Sequence, residues 1–125
     1  MKFEKHYTAE EARALLPAIR NWLDRLVELR VQLEQKEGNL EASWAPGTDL
    51  GGALVNSWIR CVADFRSLLF EFHSRQIQIK DLDRGLVDFP AIIGGKEVFL
   101  CWEKGEDDIE FWHDLDSGYA GREPL

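Results

Sequence analysis

The chain has 125 residues, 45% of them hydrophobic and 30% charged, which is the length of one domain (1–125) and the composition of a globular protein able to bury a single core. Its formal net charge of -8 and pI near 4.8 speak against nucleic acid as a partner, because a phosphate backbone selects basic surfaces. No apolar run approaches the ~20 residues that span a bilayer, and the opening MKFEKHYTAEEA lacks a signal-peptide core, so the expectation is a cytoplasmic protein with no membrane partner.

The charge is uneven. Residues 81–125 carry twelve Asp/Glu against four Lys/Arg, whereas residues 1–80 carry eleven of each, so recognition is expected in the acidic last third. Two cysteines without a framework spacing read as free, packed thiols.

Thr8-Ala-Glu-Glu11 is a capping box that opens a first helix, expected over 8–44. Leu15, Ile19, Trp22, Leu26, Leu29 and Leu33 follow in steps of four and three, the seam of a left-handed helix pair, and Leu16, Leu23 and Val27 widen it. Pro17 removes one helical hydrogen bond and predicts a kink rather than a break. The run APGTDLGG (45–52) is a connector in which Asp49 caps a second helix, expected over 49–79. Leu54, Trp58, Cys61, Phe65, Leu68 and Phe72 repeat the seam, with Val55, Val62, Leu69 and Gln76 as a parallel row. That arc is wider than one partner helix covers, so the C-terminal segment and a second copy of the chain are expected to cover it, the latter as a homodimeric helical bundle.

From Leu86 the period changes to two. Residues 86–93, Gly94-Gly95 and 96–102 read as a hairpin in which Ile93 faces Lys96, Ala91 faces Val98, Phe89 faces Leu100 and Val87 faces Trp102. Pro90 assigns the first of these strands to an edge. A third strand is expected over 109–115 with Trp102 opposite Ile109, which sets Phe111 on the core face and Trp112 beside Phe99 on the other; a slip of one residue exchanges the two sets. The expected fold is α+β: a long antiparallel helical hairpin, a small three-stranded antiparallel β-meander (86–116) and a C-terminal tail (117–125).

The strings TAEEARALLP (8–17), KDLDRGLVDFPA (80–91), VFLCWEKGE (98–106) and FWHDLDSGYAGREPL (111–125) resemble the protein family catalogued as domain of unknown function 2203. The resemblance spans almost the whole chain and implies a small bacterial cytosolic protein; it brings no activity.

His113 is the sharpest candidate for chemistry. With Glu110 it spells Glu-x-x-His, the spacing of helical di-iron sites, but this segment alternates, and on a strand residues three apart point to opposite faces. A metal site, if one is present, would draw on His113 with Asp83, Asp88 and Asp116. Asp81-Leu-Asp83-Arg-Gly85 fails as a calcium loop, since Ile92 stands where the bidentate Glu belongs, and reads as a turn. Arg84, Arg122 and Asp114 are expected to join a cluster that binds a ligand or ties down the tail by ion pairs. Cys101, between Leu100 and Trp102, is expected simply to pack. Ile92, Phe99 and Trp112, flanked by acids, form a candidate interaction patch for a basic protein partner. The function expected is a non-enzymatic, self-associating scaffold module without a cofactor. The alternative is a metal- or small-ligand-binding protein, a hydrolase among its forms, built around His113 with a divalent metal.

Overall fold

The computed structural model describes residues 1–43 and 52–125; Trp44 and the Asp49 cap lie outside the described residues. Helix α1 (Ala9–Ser43) starts at the capping box: the Glu11 amide donates to Thr8 Oγ1 and the Thr8 amide to Glu11 Oε1, both at 3.1 Å. It runs through Pro17 without interruption. Its fully buried row is Ala12, Leu16, Ile19, Leu23, Leu26 and Leu29, with Leu15 and Trp22 only half-buried, so the inward face lies slightly round from the expected seam.

Helix α2 (Ala53–His73) stops six residues short of its expected end. Gln76 adopts a left-handed conformation at φ 58°, and the Ile77 amide reaches back to the Phe72 carbonyl at 3.1 Å, the bonding of a Schellman stop with Gln where glycine is usual. The Gln76 side chain offsets that strain by accepting from the Glu4 and Lys5 amides at 3.0 and 2.7 Å. The chain then enters strand β1 (Gln78–Asp81), followed by β2 (Leu86–Ile93), β3 (Lys96–Glu103), β4 (Phe111–Asp114) and β5 (Glu123–Pro124), with a 3-10 turn at Tyr119–Gly121.

The sheet therefore corrects the expected three-stranded meander: it has five strands, all neighbours antiparallel, in the order β1-β2-β3-β4-β5. The two additions come from segments assigned to the end of the second helix and to the tail. The β2–β3 register is as expected, with Ile93 opposite Lys96 and Val87 opposite Trp102, and Gly94 and Gly95 close it in a tight turn with φ of 58° and 77°. β2 is not an edge strand. β1 pairs only with Leu86, Val87 and Asp88, so Pro90 lies beyond its end, where no ladder donor is required, and the Pro90 carbonyl accepts from the Tyr7 amide at 2.7 Å.

The β3–β4 register is slipped by one from expectation: Leu100 faces Trp112 and Cys101 faces Phe111. Trp112 consequently packs against the core while Phe111 takes the opposite face. Ile109, buried at 3% exposure in the loop before β4, fills the core without occupying a place on the ladder.

Helix α1 lies on one face of the sheet, its inward row packed with Val87, Phe89, Ala91, Val98, Leu100 and Trp102. α2 packs against α1 and contributes Phe72 fully to this core, with Phe65 and Leu68 at its margin. The other face of the sheet is buried as well: six consecutive residues of β2 and five of β3 are inaccessible. Short chain segments cover it. Residues 2–7 form an N-terminal strap in which the Lys2 and Phe3 amides donate to the Glu97 carboxylate at 2.8 and 3.0 Å, and the Phe3 ring meets Phe99 edge-on at 5.4 Å. From the other end, Arg122 lies over Phe111.

Candidate metal centre

Three polar side chains are buried on the strap-covered face, and strand alternation puts them there. Val87 and Phe89 point into the helix-side core, so Asp88 between them points away; Cys101 between Leu100 and Trp102 does the same. The ladder sets Asp88 opposite Cys101 on β2 and β3, and His113 of β4 opposite Phe99 of β3. Donors of three kinds thus come from three adjacent strands. Asp88 and Cys101 are each 1% exposed and His113 is 2% exposed.

The hydrogen bonding fixes the imidazole. His113 Nδ1 lies 2.7 Å from the Asp114 carbonyl, which can only accept, so Nδ1 carries a hydrogen. Nε2 is then the atom aimed into the cluster, 3.0 Å from both Oδ1 and Oδ2 of Asp88. A ring nitrogen held by a backbone carbonyl while the other faces a carboxylate and a sulfur is the arrangement that orients a metal-ligating histidine. One ligand atom from each of Asp88, Cys101 and His113 lies within 4.8 Å of the others. In a zinc site, donors at 2.0–2.3 Å from the metal stand roughly 3.3–3.8 Å apart, so movements on the order of an ångström bring this set to coordinating distance.

Burial governs the charges. Desolvation raises the Asp88 carboxyl above its ordinary range, against the lowering by His113 and, more weakly, by Lys80. Desolvation also pushes the Cys101 thiol up to about 12, the neighbouring Asp88 adding to it and Arg122 opposing. Cys101 is therefore a thiol at neutral pH, and both ring nitrogens of His113 are engaged elsewhere, so the trio is not a nucleophile with its general base. A divalent cation changes that balance: with thiolate and carboxylate it forms a set of zero net charge, the least costly ionic group to enclose.

Of the other residues singled out in the sequence, the structure gathers few at this point. Asp83 pairs with Arg30 on α1. Asp81 Oδ1 accepts from the Arg84 amide at 3.1 Å, and Gly85 has φ 65°, as a turn requires. Arg84 bridges to Glu103 at 3.0 Å and stacks on Tyr119, while Arg122 bridges to Glu106 at 2.9 Å and lies against Tyr119 and Phe111. Asp114 pairs with Lys96 at 2.7 Å, and Asp116 lines an open groove with Lys96, Glu97 and Asp114, outside the buried cluster. Ile92 is 44% exposed at the hairpin end, Phe99 is covered by Phe3, and Trp112 is on the core side, so the three do not share one face. Cys61, the other thiol, packs alone against the Leu29 carbonyl.

Cys101 was missed as a partner of His113, although the hairpin register that sets Ile93 opposite Lys96 already sets it opposite Asp88. The expectation of a protein without a cofactor is contradicted by this cluster, whose three buried ligand groups lie close enough together to hold a metal ion. It supports the ligand-binding alternative over the scaffold expectation. Among the described residues, no helix is long and apolar enough to cross a membrane.

A family model described as uncharacterized conserved protein (DUF2203) matches residues 5–125. No curated protein and no solved structure matches the chain. With nearly its full length covered, buried cluster included, the chain belongs to the DUF2203 family.

Proposed function

We propose that the protein is a metal-binding protein that holds one divalent transition-metal ion, zinc foremost, between Asp88, Cys101 and His113. The observation that carries this reading is the convergence of a carboxylate, a thiol and an oriented imidazole on one fully buried point. The three side chains offer one oxygen, one nitrogen and one sulfur ligand, types that suit zinc. The full burial of all three side chains suits an ion that ties strands together, since a catalytic zinc needs a position reached by solvent and substrate. The ion would add to the stability of the sheet and make it depend on metal supply.

Metal analysis of protein purified without chelator tests this, followed by cobalt(II) titration of the stripped protein. One equivalent of metal is expected, with a sulfur-to-cobalt absorption band that disappears in Cys101→Ser and weakens in His113→Ala. Substoichiometric metal in the purified protein, together with no cobalt band and no rise in melting temperature on adding zinc, refutes the reading.

A second reading, self-association through α2, is favoured by Leu54, Ile59 and Phe70 standing 46, 50 and 63% exposed on that helix. Light scattering distinguishes it: a dimer that Phe70→Asp converts to a monomer supports it, and a monomer at every concentration removes it.

A further inference from the structure

The buried cluster has a cover with few attachments. After β4 the chain turns at Gly118, makes the single 3-10 turn at Tyr119–Gly121 and returns along β4 as the two-residue strand β5. The backbone ties of this segment are the two β4–β5 residue pairs, the Leu125 amide on the Glu110 carbonyl at 2.9 Å and the local turn bonds. Its side-chain anchors are Tyr119, on which Arg84 stacks, and Arg122. The Arg122 guanidinium carbon lies 4.0 Å from the Phe111 ring centroid and 4.2 Å from that of Tyr119, Nη2 is 2.9 Å from Glu106 Oε2, and the side chain is 15% exposed. Phe111 is the cross-strand neighbour of Cys101 on the same face, so the guanidinium stacked on Phe111 lies over the face on which the sulfur is buried.

The N-terminal strap, by contrast, is bonded at Glu97, Gln76, Pro90 and Arg75 and runs directly into the capping box of α1. Of the two covers, the C-terminal one opens at lower cost, because segments with few buried contacts and short ladders unfold locally before the rest.

We propose that residues 117–125 are a lid over the Asp88, Cys101 and His113 site, latched by Arg122 in its slot between Phe111 and Tyr119, and that metal reaches and leaves the site when this lid lifts. The proposal rests on the metal reading above for its purpose, but the lid itself is testable without metal. Arg122 is a positioning residue here: it holds the segment down and is not a ligand.

The test uses the full chain with Cys61→Ser, so that Cys101 is the one thiol, in chelator at fixed pH. The rate at which a maleimide labels Cys101 is expected to rise about tenfold in Arg122→Ala, the change produced by making a local opening easier by about 1.4 kcal/mol. Release of bound zinc to a competing chelator should accelerate by a similar factor, with a smaller change in the equilibrium dissociation constant. Glu106→Gln weakens the same latch while leaving the stacked guanidinium, and it is measured alongside; if Arg122→Ala does not fold, it decides. Labelling at the parent rate in a folded variant overturns the lid. Faster labelling in a protein that binds no zinc upholds the lid and overturns the metal reading, so the two failures are separate.

Discussion

The buried Asp88–His113 pair should behave as a unit when it is dismantled. Both side chains are 2% exposed and Nε2 stands 3.0 Å from each carboxylate oxygen. At that separation and an effective dielectric near 20, the gross attraction between a carboxylate and an imidazolium is roughly 5 kcal/mol, and most of it is offset by the cost of taking both charges out of water. The net worth of the pair is therefore small, but removing one partner strands the other. Asp88→Ala and His113→Ala should each cost about 3–5 kcal/mol, a fall of roughly 10–20 °C in melting temperature for a chain of this length. The double variant should cost about 2–3 kcal/mol less than the two singles added together, because it leaves no stranded group. Urea and thermal melts of the four proteins, in chelator so that bound metal does not contribute, measure this directly. Singles that add to within about 0.5 kcal/mol would show that the two side chains do not interact and would undo the site geometry.

Two further outcomes follow from the straps and turns. Glu97 accepts from His6 and from the Lys2 and Phe3 amides, which holds its carboxyl at about 2 against an ordinary 4.5. A carboxyl lowered on folding stabilises fully above about pH 4.5 and loses that contribution as the pH falls towards 2. Amide exchange at residues 2–7 should quicken through that window in the parent and be already fast, and flat with pH beyond intrinsic exchange, in Glu97→Gln; equal protection in both would remove Glu97 as the anchor. Gly85 has φ 65° and a β-carbon there would stand 2.5 Å from Lys104 Cβ, so Gly85→Ala should cost about 2–3 kcal/mol, of which the left-handed backbone accounts for roughly 1–2. An unchanged denaturation midpoint would contradict the β1–β2 turn described above.

Much of this fold can be read from the residues, and the failures share one cause. Side-chain period fixes which residues face the core, and it succeeds where a two-residue glycine turn also fixes the pairing, as between β2 and β3. Between β3 and β4 the link is a longer loop, and hydrophobicity alone pairs Trp102 with Ile109. That register would place His113 opposite Val98 on the helix side, away from Asp88 and Cys101. The real register, with Phe99 opposite His113, brings all three together, so a slip of one residue hid the site. β1 was hidden differently: Phe72 and Gln76 extend the helical rows of α2, while Ile77 and Ile79 already alternate as a strand. β5 has two residues, too few to show any period.

The chemistry of the covered face argues against a purely structural account of the cluster. Pro90, Phe99, Phe111 and Phe3 put apolar surface beside it, with Lys80 and Arg122 at its edges, and a leucine or phenylalanine in place of Asp88 or His113 would bury no charge there. Buried ion pairs replaced by well-packed apolar groups are commonly neutral or stabilising by about 1–4 kcal/mol. The trio is thus a poor device for holding three strands together by itself. Adding a dication reverses the comparison, since the same three groups then form bonds that apolar side chains cannot, and the ion's charge cancels those of the carboxylate and thiolate. Stability measured with and without zinc should accordingly rank the parent below an Asp88→Leu, Cys101→Val, His113→Leu triple variant when stripped and above it when loaded. The reverse order in zinc would leave the donor set without a physical reason.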